Sequence, residues 1–404
     1  MRLAAVEERM SAMVETSGRR RLRGYALPAV SVGILALLTL CLAWRNLSAA
    51  PVTSDYQKWE AIGKGAAEES LVLLKKAGHA ARKGDLIALT NAGHAEINGA
   101  STEGALDGLA HATGVSRGRN TLVEVHAATW DRPWFAVYDK GSGFCAYLEV
   151  NPVTAAAMTT VPKRLPADFF GVCAVERIDA KHLESHVDEF KAKLDKKFFG
   201  GNEFRIVTMA NAIAEGAPVS VVRAFEFHDH YCPGVTSGIL MAGYLKKHFA
   251  PGAGGHYFVY AVDPWCKEDA LLVLLNATPG KRGYAATYPA DADKARRVPE
   301  AKDVCNLVFR QNPETKQWDG LALAFQWAET GCPKTGNGLL DRLCADLWYL
   351  KRMDRPEDFV KVVKTLELPE GVNPKDWARP GVDPLEQLGL LQPVQSSEPA
   401  AAGS

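Results

Sequence analysis

The feature that most constrains the fold of this chain is an internal repeat. The tripeptide Leu-Lys-Lys occupies positions 74–76 and again 245–247, which are 171 positions apart, and each copy ends an apolar helical stretch. At the same spacing Gly63 falls on Gly234. A sequence that repeats one plan at this distance predicts two similar domains in tandem. Coincidence stays open as the alternative, because the order of helix and strand that repeats here is a common one.

Both units are predicted to contain a helix, a short strand, a second helix, a turn and a hairpin, in that order. In the second unit the strand covers 257–262, the second helix 267–275, and the hairpin strands 306–310 and 321–325. In the first unit the strand covers 86–90, and the hairpin strands cover 135–138 and 145–150. A segment at 103–109 resembles 268–274 at a spacing of 165, which aligns positions 112–113 with 277–278.

One cluster of polar residues occurs only in the second unit. It consists of His228, His230, Cys232, Cys266 and Asp269, and the aligned positions of the first unit hold Gln57, Trp59, Ala61, Ser101 and Gly104. Related copies of one scaffold retain the residues that fold it. A cluster found in only one copy is therefore expected to serve chemistry rather than folding.

The segment from His228 to Gly234 is the most informative stretch of the sequence. In an extended chain residues two apart point to the same side, so His228, His230 and Cys232 are expected to converge. Pro233 suits the first turn of a helix and places Cys232 at the helix N-cap. The free N–H groups and the dipole of a helix N-terminus favour a thiolate over a thiol.

Cys266 repeats this arrangement, because it follows a predicted strand and precedes a helix start with acids in its first turn. Two cysteines and two imidazoles are a ligand set for Zn²⁺ or another borderline-soft ion. Three protein ligands plus water would make the site catalytic in type, and four would make it structural. Asp229 and Asp269 are candidates to orient a histidine. The alternative is a disulfide between Cys232 and Cys266.

These motifs resemble the FmdE family, which takes its name from formylmethanofuran dehydrogenase. The resemblance covers 224–325 and rests on the segment 227–234, on Cys266, on Asp269 with the alanine after it, and on the Thr-Pro-Gly-Lys turn at 278–281. It implies an α+β domain with helices packed on a mainly antiparallel sheet, and a metal at the histidine–cysteine cluster. It does not imply formylmethanofuran chemistry, because one fold serves many functions. Many members have a cysteine where this chain has Ala277. If that cysteine binds the metal in those members, the site here has one protein ligand fewer or another group takes its place.

The segment 25–44 contains no charged residue and follows four arginines between positions 19 and 23. Twenty such residues in a helix span the hydrocarbon core of a bilayer, and the basic flank keeps 1–24 in the cytoplasm. We expect a transmembrane or signal helix that exports the remainder, either as a membrane-anchored or as a periplasmic protein. Small residues at 48–50 favour cleavage, whereas Arg45 and Pro51 disfavour it.

The predicted domain organisation is α+β with two tandem FmdE-like domains. The predicted segments after the membrane helix are a degenerate domain at 55–150, a connecting segment at 151–223, a metal-binding domain at 224–330, a C-terminal helical region at 331–392 and a disordered tail at 393–404. Of the remaining cysteines, Cys332 and Cys344 are expected to be unpaired buried thiols, with a structural disulfide between them as the alternative. Cys145, Cys173 and Cys305 are expected to be small buried apolar residues.

Composition limits the possible functions. The 47 basic and 47 acidic residues balance, which argues against a nucleic-acid partner. We expect one transition-metal ion, zinc first, and either a small-molecule substrate or a redox partner; whether the protein is an enzyme stays open. The alternatives are a non-catalytic metal-carrying or metal-sensing module and a structural disulfide domain. Assembly is expected as a homodimer or as an intramolecular pseudo-dimer of the two units.

Overall fold

The computed structural model describes residues 54–166 and 168–392. The predicted membrane or signal helix at 25–44, the basic segment before it and the tail at 393–404 all lie outside the described residues. Within the described ranges, no helix combines the length and the apolar character needed to cross a bilayer.

The described chain has an α+β fold, with helices and strands mixed along the sequence. Its helices are α1 Ser54–Lys76, α2 Gly104–Thr113, α3 Pro152–Ala157, α4 Ala180–Ser185, α5 Val187–Leu194, α6 Glu203–Ala214, α7 Val219–His228, α8 Pro233–His248, α9 Lys267–Leu275, α10 Asp291–Ala295, α11 Gly338–Leu350 and α12 Pro384–Gln387. Its strands are β1 Leu86–Thr90, β2 Glu96–Ile97, β3 Ala100–Ser101, β4 Leu122–Glu124, β5 Trp134–Asp139, β6 Phe144–Val150, β7 Phe170–Arg177, β8 Tyr257–Ala261, β9 Tyr284–Ala286, β10 Val304–Gln311, β11 Trp318–Phe325 and β12 Val360–Glu367.

Two five-stranded sheets share one topology. The first has the order β4-β1-β5-β6-β7, and the second has the order β9-β8-β10-β11-β12. In each sheet the short edge strand runs parallel to its neighbour, while the other three pairings are antiparallel. The strands β1 and β8 begin 171 positions apart, which is the spacing of the sequence repeat.

The predicted connecting segment and the predicted C-terminal region both contribute to these sheets. Strand β7 comes from the connecting segment and pairs with β6. Strand β12 comes from 331–392, so this region is not wholly helical; its Val- and Thr-containing sequence extends the second sheet beside β11.

Both faces of the central strands are buried, and alternate residues enter different cores. In β1, Leu86 and Ala88 pack with α1 and α2, whereas Ile87 and Leu89 join a core that contains residues of α6, α7, α8 and α11. The continuous apolar sequence of β1 follows from this double burial. The core around Ile87 therefore joins the first sheet to the helices that carry the second unit's polar cluster.

A small hairpin in the first unit changes the alignment of the two units. Strands β2 and β3 lie between β1 and α2, and the second unit goes from β8 to α9 by a shorter connection. Helix α2 has Glu103 at its N-cap, so Glu103 takes the place of Cys266 and the predicted match with Ser101 is wrong. The turn after α2 is a 3₁₀ turn at Arg117–Arg119, equivalent to Pro279–Lys281. The predicted match of 112–113 with 277–278 is therefore wrong by three positions.

The remaining cysteines differ in part from expectation. Cys332 and Cys344 form a disulfide, so the prediction that they are unpaired is wrong. The loop before α11 returns to the helix and brings the two Cα atoms to 5.9 Å, a separation that a disulfide can span. Cys145 is buried as predicted, whereas Cys305 is partly exposed and Cys173 is exposed on an outer strand.

Candidate metal centre

The polar cluster lies where α7 ends and α8 begins. His228 is the last residue of α7, and Asp229 has a φ of 72°, which reverses the chain. Cys232 is the N-cap of α8, and Pro233 occupies the first helical turn, as the sequence predicted. The predicted extended conformation from His228 to Cys232 is wrong, because His228 belongs to a helix. The β-branched residues of α7 favour a strand locally, but burial of its apolar face selects the helix.

Three side chains converge at this junction. The candidate ligand atoms of His228, Cys232 and Cys266 all lie within 4.8 Å of one another. The sulfur of Cys232 is 4.0 Å from Nε2 of His228. Cys266 arrives from the N-cap of α9, so both sulfurs lie at helix N-termini. Across the part of the chain that the structure describes, this is the one group of three histidine, cysteine or acidic residues with such spacing.

His230 lies beside this group but outside it. Its Nδ1 hydrogen-bonds to Oδ1 of Asp229 at 2.5 Å, and its ring centroid is 4.4 Å from that of His228. Asp229 is held in turn by Arg205, whose Nη2 donates to Oδ2 at 2.8 Å. Although the two rings are neighbours, His230 is not part of the ligand group, so the structure brings together three of the four predicted ligands.

The two predicted orienting carboxylates serve different histidines. Oδ2 of Asp269 lies 2.6 Å from Nδ1 of His228. This contact fixes the ring and leaves Nε2 directed to the sulfurs, which is the role that a carboxylate takes behind a metal-binding histidine. Asp229 instead fixes His230, as described above.

The three side chains of the cluster shift one another's pKa. The Cys232 thiol and His228 both donate hydrogen bonds to the sulfur of Cys266, and these lower the pKa of Cys266 to about 4. The same hydrogen bond, together with burial, raises the pKa of Cys232 well above its usual value. Burial lowers the pKa of His228, but hydrogen bonds to Asp269 and Cys266 outweigh it and raise that pKa to about 9. These shifts favour the thiolate form of Cys266, the thiol form of Cys232 and the imidazolium form of His228.

A glycine allows the second sulfur to approach. A Cβ on Gly234 would lie 2.7 Å from the Cβ of Cys266 and 3.2 Å from its sulfur. At the position of the first unit that aligns with Gly234 in sequence, Gly63 of α1 also lies close to the next helix, where a Cβ would lie 2.2 Å from the carbonyl oxygen of Ala105. Close crossing of the two helices is thus common to both units, and only the second unit has cysteines at the crossing.

The donor set fits a borderline-soft divalent ion. Zinc binds thiolate and imidazole at about 2.0–2.3 Å, which puts ligand atoms about 3.5 Å apart in a tetrahedral site. The three atoms lie within 4.8 Å, so small side-chain movements close the site. A metal would displace the protons of Cys232 and His228 while Cys266 is already ionised.

Sequence reasoning missed the residues around the centre that come from outside the second unit. Arg205 comes from α6 in the connecting segment, and His126, which follows β4, stacks on Phe227 with centroids 5.3 Å apart. Neither residue belongs to a motif. Only the packing of the first sheet against α6 and α7 brings them here.

One comparison with known proteins bears on this site. Residues 227–331 match the family FmdE, described as "FmdE, Molybdenum formylmethanofuran dehydrogenase operon". No curated protein matches the chain. The matched segment is about a quarter of the chain, and it contains His228, Cys232 and Cys266. The match supports the resemblance drawn from the motifs, and it suggests a metal-associated role for this segment.

Proposed function

We propose that this protein binds one zinc ion through His228, Cys232 and Cys266. The observation that carries the proposal is the convergence of one imidazole and two helix-capping sulfurs within 4.8 Å, with Asp269 fixing the imidazole. This donor set excludes the hard ions Mg²⁺ and Ca²⁺, which prefer oxygen ligands.

Three protein ligands leave a fourth position for water or substrate, as in catalytic zinc sites. When bound, zinc would supply Lewis-acid polarisation of a substrate oxygen or activation of water. The chain's own residues would have distinct roles. Asp269 holds the Nδ1 proton of His228, while Asp229 holds His230 at the edge of the centre, where it can exchange a proton with a bound molecule.

We further propose that the protein is exported and tethered to the membrane by the uncharged segment 25–44. The Cys332–Cys344 disulfide supports this, because disulfides persist outside the cytoplasm. In an oxidising compartment the neighbouring sulfurs of Cys232 and Cys266 would themselves pair unless a metal held them. Export and zinc binding therefore support each other.

The two units are proposed to be tandem FmdE-like domains that form an intramolecular pseudo-dimer. The identical strand order of the two sheets supports a duplication. In the first unit Trp59 lies at the position aligned with His230, and it is buried in the core of that unit with an exposure of 1%. The first unit would thus have exchanged the metal cluster for apolar packing.

A second candidate function is a metal carrier or sensor that serves a redox partner without turnover of its own. The partial exposure of Cys266 favours it, because an accessible thiolate allows exchange of the ion. A purely structural role would instead require a Cys232–Cys266 disulfide; in the structure both are free.

Elemental analysis of the full-length chain, purified without a metal-affinity tag, tests the proposal. About one zinc per chain is expected, and the double variant Cys232→Ser/Cys266→Ser should lose it. The matched control is Cys173→Ser, which removes an exposed thiol outside the ligand group and should keep the metal. Metal-free chain with Cys232 and Cys266 oxidised to each other would overturn the proposal in favour of a structural disulfide.

A further inference from the structure

A cavity of about 340 Å³ lies beside the metal centre, on the side of the first unit. Its polar wall includes His126, Arg132 and Glu149 from the first unit, and Asn202 and Arg205 from the connecting segment. None of its lining residues falls within 227–331, so the family match says nothing about it. The volume is in the range of small-molecule sites in proteins.

Two chains of contacts join this cavity to the segment that carries the metal ligands. Arg205 binds Asp229, Asp229 binds His230, and the His230 ring contacts that of His228. On the other side, the backbone N–H of His126 donates to the carbonyl oxygen of Glu226 at 3.0 Å, and its ring stacks on Phe227. The cavity wall is therefore one or two side chains away from the candidate ligands.

The wall offers hydrogen-bond donors suited to an anion. Nη1 of Arg132 pairs with Oε1 of Glu149 at 3.0 Å, and the Arg132 side chain is still 67% exposed. Arg205 gives one N–H to Asn202 and one to Asp229, and 38% of its side chain is exposed. A guanidinium has five N–H groups, so each arginine keeps several for a ligand.

The acidic groups neutralise the charge of the two arginines but occupy only some of their N–H donors. Glu149 is almost fully buried, and its two oxygens are taken by Arg132 and by the hydroxyl of Tyr147. Asp131 also lines the cavity and is exposed, as are Arg132 and His126. The wall therefore presents the remaining N–H groups of two planar guanidinium groups and the His126 imidazole. Planar guanidinium groups match a carboxylate by paired hydrogen bonds, and they also bind phosphate.

We propose that this cavity binds a small carboxylate-bearing molecule through Arg132 and Arg205, and that this molecule is the substrate of the neighbouring metal centre. The second part rests on the proposed zinc site. The first unit, which has no metal cluster of its own, then contributes the substrate pocket. Asp229 and His230 lie between Arg205 and the metal ligands. Binding of the carboxylate to Arg205 can therefore change the position of these two residues beside the metal centre.

The test separates anion binding from metal binding. Succinate and inorganic phosphate are titrated calorimetrically into the full-length chain, with and without zinc, and metal content is measured on the same samples. Arg132→Gln and Arg205→Gln should each weaken succinate binding about 10–100-fold, as expected for loss of a charged hydrogen bond, while keeping the metal. Arg119→Gln, at an exposed arginine away from the cavity, is the matched control and should leave binding unchanged.

A second readout tests the link to the centre. Cobalt replaces zinc and gives a visible spectrum that reports ligand geometry. Succinate should shift this spectrum in the parent and in Arg119→Gln, but not in Arg205→Gln. If the thermal melt shows that Arg205→Gln does not fold, both succinate binding and the cobalt spectrum are measured on Arg132→Gln instead.

Each outcome decides between the two proposals. Metal-loaded chain that binds neither anion, or binds them equally in the arginine variants, overturns the pocket and leaves the zinc site standing. Phosphate binding without succinate binding overturns the carboxylate specificity. Arginine-dependent succinate binding to a chain that takes up no metal overturns the zinc site and the substrate role together. Succinate binding that leaves the cobalt spectrum unchanged overturns the substrate role alone.

Discussion

The close approach of Gly234 to Cys266 gives the sharpest test of the site. Gly234→Ala adds a methyl group that would lie 2.7 Å from the Cβ of Cys266 and 3.4 Å from the ring of Trp265. Ordinary van der Waals contact begins at 3.4 Å, so the two helices must separate by about 0.7 Å. The Cβ of Cys266 is fixed to its backbone, and rotation of its side chain does not relieve the clash.

The size of the effect follows from this displacement. Metal–ligand distances are held to within about 0.2 Å, so a shift of the Cys266 backbone by about 0.7 Å exceeds the tolerance about threefold. We expect zinc affinity to fall about 10–100-fold, comparable to loss of a group that orients a ligand. Overpacking should also cost about 1–3 kcal/mol of unfolding free energy, offset by at most about 1 kcal/mol from the better helix propensity of alanine.

The assay is a competition titration with a chromophoric zinc chelator, together with chemical unfolding of the metal-free chain. Gly243→Ala is the matched control on the same helix, because its new Cβ would meet Pro356 at an ordinary 3.8 Å. It should keep parental affinity and gain up to about 1 kcal/mol in stability. Parental zinc affinity in Gly234→Ala, or an equal loss in both variants, would refute the reasoning.

Three further predictions concern individual side chains. Asp269→Asn should lower zinc affinity about 10–100-fold in the same titration, whereas His230→Ala should change it less than about tenfold because His230 lies outside the ligand group. In the metal-free chain, alkylation of Cys266 should persist in mild acid and cease only as the pH falls through about 4. Because folding lowers the pKa of Cys266 from its usual value near 9, the stabilisation from this thiolate declines as the pH falls below about 9 and is lost as the pH falls through about 4. An alkylation midpoint near the usual thiol pKa would contradict the assignment. Cys332→Ser should lower the free energy of unfolding by about 2–4 kcal/mol, because the disulfide to Cys344 closes a loop of 12 positions. An unchanged midpoint in denaturant unfolding would count against the disulfide.

Local sequence signals predicted the elements of the site well. The proline after Cys232 marked the start of α8, and the acids after Cys266 marked the start of α9. Both signals act within one helical turn, through groups that the chain carries next to each other. The central strands β1 and β8 were likewise predicted from short apolar runs, to within one residue at each end.

Features that depend on contacts between residues far apart in sequence were predicted wrongly. The conformation of 225–228 is one example, because its aromatic residues favour a strand by a few tenths of a kcal/mol each. Burial of Val221 and Phe225 against the first sheet outweighs that preference. The alignment of Cys266 with Ser101 was wrong for another reason. The β2–β3 hairpin adds residues to the first unit, so no single sequence spacing aligns both the strands and the second helices of the two units.

The sequence by itself determined the repeat, the identity of the polar cluster and the helix starts that present two sulfurs, because adjacent residues encode these features. Tertiary structure alone decided that His228 rather than His230 joins those sulfurs, since Asp269 of α9 holds the ring of His228 and Asp229 holds that of His230. It also decided that Arg132 and Arg205 share a cavity beside the centre. These residues are far apart in sequence and meet only because burying both faces of the first sheet brings its edge against α6 and α7.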